Sequence, residues 1–160
     1  MALTPLPSGW YIAGKILAAI SVAAIVVTIT FTVGAFTDAS MDTPVWFLSG
    51  AIVVLGSLST AALGLAIGYL MKSEAAFGVM GGGVALLAFT SGMFLPVDQM
   101  GEFFQSIAPF SPLYGINKIA LMPIYGWDSF EWQFVFNAVG WFLLFAILAV
   151  IGHKKDTARR

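Results

Sequence analysis

Cysteine is missing from this 160-residue chain, and histidine occurs once. The first absence excludes disulfides, thiolate metal sites and cysteine nucleophiles, and it leaves no redox clue to the compartment. Charge is scarce as well. Asp, Glu, Lys and Arg make up 9% of residues, where an average soluble domain carries about a quarter. Seven basic and eight acidic side chains cannot cover the surface of a water-soluble globule of this length. That scarcity excludes an ordinary soluble enzyme and a disordered chain, and a net charge of −1 excludes a nucleic-acid binder, which needs a basic excess. No metal-ligand cluster and no serine triad can be assembled from the residues present, so no catalytic residue, cofactor or metal is expected. What the chain has in abundance is apolar bulk, 59% of residues. Its solvent is lipid.

A bilayer core of about 30 Å is crossed by roughly 20 apolar residues in a helix. Four charge-free runs reach that length: Ile16–Thr37, Thr43–Met71, Ala75–Val97 and Trp132–Gly152. They predict an all-α integral membrane protein, a single transmembrane domain over 1–160, with four transmembrane helices at about 12–36, 45–70, 75–95 and 130–151. The first run lacks the charged start of a cleaved signal peptide and is too long for one. Barrel strands would be shorter and would alternate apolar with polar residues.

The few charges sort by connection. Lys15, Lys72, Lys154, Lys155, Arg159 and Arg160 fall at the start, in the second connection and in the tail. Asp38, Asp42, Asp98, Glu102, Asp128 and Glu131 fall in the first and third connections, where Lys118 is the one base. The excess of basic residues on one side predicts a multi-pass protein of the cell membrane with both termini cytoplasmic. Pro44 suits the first turn of the second helix, with Trp46 and Tyr69 as anchors at opposite interfaces. The tight Lys72-Ser73-Glu74 turn predicts antiparallel neighbours, with Ser73 as an N-cap. Asp128 and Glu131 read as a capping box; as an acid–base pair they would lack any nucleophile or metal ligand to serve.

Gly56, Thr60, Gly64 and Gly68 recur every four residues on the second helix, and Gly78 and Gly82 repeat that spacing on the third. Stripes of small residues let backbones approach, so these are the candidate helix-packing positions. Gly81-Gly82-Gly83 reads either as a close-packing site or as a hinge. The other polar residues of the spans, Thr28, Thr30, Thr32, Ser57, Ser59, Thr90, Ser91 and Asn137, are uncharged. No ionisable residue sits in mid-span, which argues against a carrier driven by protons or sodium. The lone His153 reads as an interfacial residue.

Residues 96–123 are too long for a plain loop between packed helices. Met100, Phe103, Phe104 and Ile107 follow helical spacing, with Asp98, Gln99, Glu102, Gln105 and Ser106 opposite, which is an amphipathic helix. Pro109 and Pro112 break it, and a second apolar piece, Leu113–Met122, ends at Pro123. Short amphipathic or re-entrant helices in the outer connection suit this pattern; a surface hairpin is the plainer alternative. Gly9–Lys15 matches the first seven positions of a phosphate-binding loop. Ile16 stands where magnesium needs a hydroxyl, and no strand precedes it, so the match is a coincidence and Lys15 a snorkelling residue.

Ser91-Gly92-Met93-Phe94-Leu95-Pro96, continuing through Met100, Phe103 and Ile107 to Pro109-Phe110-Ser111-Pro112-Leu113-Tyr114, resembles the membrane permease subunit of type 2 ABC transporters. In that family the penultimate span ends in a small-residue, aromatic, proline signature, followed by a short outer helix. Leu6-Pro7-Ser8-Gly9-Trp10 leading to Lys15 is similar to the family's approach from its coupling segment into its third span. The likeness covers the C-terminal two-thirds of a family member, four of the usual six spans. It implies either a fragment or a partner chain carrying the preceding elbow helix and two spans. It also implies a permease subunit of an ATP-driven exporter, working with a second permease copy or half and with separate ATP-binding cassette ATPase subunits, among membrane lipids. The chain itself would not hydrolyse ATP. Phe94, Pro96, Met100, Phe103, Phe104, Pro109, Pro112 and Tyr114 would form an outer gate segment. The alternative is a non-transporting membrane protein, such as an assembly or immunity factor, that binds a partner through its glycine stripe.

Overall fold

The computed structural model describes residues 8–37, 41–71 and 73–157, with backbone alone for Ser8, Gly9, Tyr11, Ile12, Ser73, Asp156 and Thr157. In chain order the elements are α1 Ser8–Phe36, α2 Thr43–Leu70, α3 Ser73–Gly78, a π turn Val79–Gly83, α4 Val84–Thr90, a short tight turn Val97–Gln99, α5 Glu102–Ile107, a second tight turn Ala108–Phe110, α6 Tyr114–Tyr125 and α7 Trp132–Thr157. There is no strand among the described residues. The chain is an all-α membrane protein. Ala13–Phe36, Thr43–Leu70 and Trp132–Lys155 are long and apolar enough to cross a bilayer. The remaining apolar helix, Glu74–Thr90, is shorter.

Hydropathy carries the third run to about residue 95, but the helix stops at Thr90. The reason is Gly92, which adopts φ +79°. The amide of Met93 donates to the Ala88 carbonyl and that of Gly92 to the Phe89 carbonyl, both at 3.1 Å. This pair of bonds is a Schellman cap, and it needs a left-handed residue after the last turn. A Cβ at Gly92 would also lie 2.6 Å from Val97. The small-residue, aromatic, proline signature is therefore a helix stop inside an apolar run, which hydropathy cannot register.

The other ends differ in smaller ways. Pro44 lies in the first turn of α2, behind Asp42 at the N-cap position. The second apolar piece does not end at Pro123: α6 runs through it to Tyr125 and is capped by Gly126 at φ +99°. Because α7 starts at Trp132, Glu131 rather than Asp128 occupies its N-cap position, and the Glu131 carboxylate accepts from the Gln133 side chain. The capping-box reading is corrected accordingly. Lys72 and the Ser73 side chain, on which the expected tight turn and N-cap depend, lie outside the described residues.

α2 is the centre of the bundle and packs against α1, α6 and α7. Trp46 meets Phe31 edge-on, ring centres 4.9 Å apart, and covers Gly34, so it fastens α1 to α2. At the opposite end Gly152 of α7 lies against Tyr69 so closely that a Cβ would fall 2.6 Å from the Tyr69 Cβ. Among the described residues, the cluster of buried apolar side chains lies outside the contacts between α1, α2 and the body of α7. It joins Val97, Ala108, Tyr114, Met122 and Phe134 within the α4–α7 connection and the start of α7.

Candidate functional site

The α4–α7 connection is built around a buried polar knot. Ser91, fully buried at the end of α4, donates to the Leu87 carbonyl at 2.6 Å, a common fate for serine in an apolar helix. Its hydroxyl also lies 2.6 Å from that of Ser111, and Thr90 lies 3.3 Å from Ser111. Asn117 of α6 donates to the Ser91 carbonyl at 3.1 Å. From α7, the Asn137 amide donates to the carbonyls of Pro109 (2.8 Å) and Ser111 (3.1 Å), while its oxygen accepts from the Gly115 amide at 3.0 Å. One side chain thus satisfies three backbone groups of the connection. In an apolar surround each would otherwise be left at a cost of about 1–3 kcal/mol.

Gly115 makes this closure possible. A Cβ there would overlap the Phe134 carbonyl oxygen and would approach the Asn137 side-chain oxygen to 2.9 Å. α6 therefore touches α7 backbone to backbone. Tyr114 is buried beside it, edge-on to Phe134 at 5.8 Å, with the Lys118 ammonium 5.7 Å above its ring. Burial first, then the carboxylates of Glu131 and Asp98, push the Tyr114 phenol above its ordinary value, so it stays a neutral hydroxyl. In front of it opens a basin of about 520 Å³, whose polar lining includes Asp98, Asn117, Lys118, Tyr125 and Glu131.

The residues expected to form a gate divide in two. Pro96 borders the basin, Met100 and Pro112 are buried, Tyr114 stands in the cluster, and the Pro109 carbonyl belongs to the polar knot. Phe104 packs edge-on against Phe89 at 5.6 Å. Phe94 and Phe103 are 72% and 69% exposed, and Phe103 meets Phe104 edge-on at 5.5 Å.

The small-residue positions are not one continuous contact. Gly56 receives Ile116 of α6, whose methyl would be 2.6 Å from an added Cβ. Gly64 looks towards Met80 at 3.8 Å, whereas Gly68, Gly78 and Gly82 have nothing within 4 Å. Thr60 is exposed and donates to the Ser57 carbonyl. Gly81–Gly83 occupies the π turn, without a break in the helix: Gly78, Gly83 and Val84 all keep right-handed helical dihedrals. Glycine's low helix preference permits the wider turn. Gly9–Lys15 is continuous helix within α1, so no loop exists there to wrap a phosphate. Gly115 and Asn117 drew no notice in the sequence, and Ser111 stood there only as part of the family signature. No other glycine lies within four residues of Gly115, and the knot joins positions about twenty or more residues apart.

The sequence model of the family described as "ABC-2 type transporter" matches residues 2–125, from before α1 to the last residue of α6. The chain belongs to that family. The chain is also similar to "Putative transport permease YvfS" of Bacillus subtilis (strain 168), 29% identical over 157 residues. The match covers 98% of this chain and 64% of the relative, so the chain spans less than two-thirds of that relative's length. No solved structure matches.

Proposed function

We propose that this ABC-2 chain is a permease subunit of an ATP-driven exporter, forming the substrate pathway with a second permease copy or half. Separate ATPase subunits hydrolyse ATP. The chain crosses the cell membrane four times with both termini in the cytoplasm, and the 96–123 segment caps the outer end of the pathway. The observation that carries this reading is the knotted connection itself: its segment from Ser91 to Tyr125 lies within the family-matched region, and Asn137 of α7, beyond that region, ties it shut beside a polar basin. Lys15, Lys154 and Lys155 at the other end, against Asp98, Glu102, Asp128 and Glu131 at this one, support the orientation. A largely uncharged interior suits hydrophobic cargo.

Two measurements test it. The purified chain shows no ATPase activity and no nucleotide-dependent thermal shift, and Lys15→Ala changes neither; saturable ATP binding lost in that variant refutes the assignment. Because the chain has no native cysteine, Gln105→Cys is labelled by an impermeant thiol reagent from outside intact cells and Glu74→Cys is not. Labelling of Glu74→Cys reverses the topology.

A further inference from the structure

A second cavity, of about 610 Å³, lies at the other end of the bundle, between α1, α2 and α7 with Met80 of the π turn beside it. Its walls are small where helices face one another: Ala61, Ala62 and Gly64 on α2, Ala146 and Ala149 on α7. That is why a trough remains between helices otherwise in contact. On α2 it runs from Leu58 to Tyr69, and on α7 from Phe142 to His153. At 1.5 Å per residue either stretch is about 16 Å long, close to half of the roughly 30 Å hydrocarbon core. The trough is thus one leaflet deep. It is apolar along its length and polar at one end alone, where Lys15, Tyr69 and His153 come from three different helices. The Lys15 ammonium stands 5.3 Å over the Tyr69 ring, and the His153 ring meets Tyr69 edge-on at 5.3 Å. Lys154 and Lys155 follow in the last turn of α7. Among side chains described at this end, Glu74 is the one carboxylate.

We infer that this trough holds one acyl chain of an anionic phospholipid, with its phosphate at the Lys15–Tyr69–His153 mouth. The match is of length, polarity and charge together. An apolar tail fills one leaflet's depth, and a negative headgroup meets the basic end of the bundle, where basic residues near a membrane surface attract acidic lipids. Occupancy does not depend on the transport reading. Assignment to the inner leaflet rests on the orientation proposed above, and the labelling of Glu74→Cys tests that separately.

The experiment uses the whole chain, delipidated in detergent and offered dioleoyl phosphatidylglycerol or dioleoyl phosphatidylcholine, with retained lipid read by native mass spectrometry. Phosphatidylglycerol is retained in preference to phosphatidylcholine. Lys15→Gln weakens its retention about fivefold, the factor for one basic residue at an anionic surface. Ala146→Leu, which narrows the trough without touching the mouth, weakens it as well. A phosphatidylglycerol with a photoreactive acyl chain labels the unaltered protein within 15–19, 58–69 or 142–153 or at Met80, a readout that stands even if a variant fails to fold. Equal retention of the two lipids, displacement by glycerol 3-phosphate alone, labelling elsewhere, or a cross-link across the trough to a second chain overturns the proposal.

Discussion

Two parts of this molecule are rich in small residues and differ in how they are held. The connection between α4 and α7 is closed on itself. Gly115 presses on the α7 backbone, Asn137 binds three backbone groups, and apolar side chains bury one another around Tyr114 and Phe134. The α3–α4 helix has the denser run of glycines but little around it: Gly78, Gly81 and Gly82 face open space, and Phe77 and Leu86 are exposed. Glycine content alone does not tell a packed position from an open one. What separates them is whether a second backbone is present where the Cβ would go.

The comparison is most easily broken at Gly115. Gly115→Ala should destabilise the chain by about 3 kcal/mol, the upper range for overpacking, because a backbone carbonyl cannot swing aside as a side chain can. Thermal unfolding in detergent reads this, and a shift no larger than that of Gly82→Ala would erase the distinction between the two regions. Asn137→Leu comes next, at about 2 kcal/mol, since it strips partners from Pro109, Ser111 and Gly115 together. It should also raise thiol labelling of a cysteine placed at Ser111, which is buried while the knot is intact.

Ser91→Ala removes one hydroxyl from the knot but leaves the Asn117–Ser91 backbone bond, so about 1 kcal/mol is expected in the same unfolding assay. Gly82→Ala should shift the stability of the isolated chain least, by about 0.5–1 kcal/mol and in the stabilising direction, because alanine is the better helix former and meets no neighbour. Gly82→Leu sharpens the comparison. If the open face receives a second permease half, the bulk should lower the dimer fraction in cross-linking while leaving monomer stability intact.

Much of this is legible in the sequence. The long apolar runs, the absence of mid-span charge and the signature around Ser91–Pro96 each have a local cause, whereas the amphipathic helix expected from Met100 begins only at Glu102, with Met100 extended before it. What stayed hidden is not local. The stop at Gly92 sits within residues as apolar as those before it, and only its positive φ separates helix from turn. Gly56 receives Ile116 as a packing glycine should, yet Gly68, Gly78 and Gly82 at the same spacing meet nothing, because spacing defines a face without naming what lies opposite. The knot depends on three segments meeting, and Asn137 reads as an ordinary span residue until Pro109 and Ser111 are beside it.

The π turn at Val79–Gly83 also sets the phase of everything after it. A turn bonded i to i+5 takes up one residue more than an α turn. Side chains beyond it are rotated by about 100° relative to an uninterrupted α-helix. Leu87, Thr90 and Ser91, which reach Ser111, point as they do only because that extra residue has been wound in. The glycine triplet therefore works as a one-residue vernier between two faces of the same helix. Its lower end presents an open flank, its upper end presents the hydroxyls of the knot, and the angle between them is set by the one extra residue of the turn.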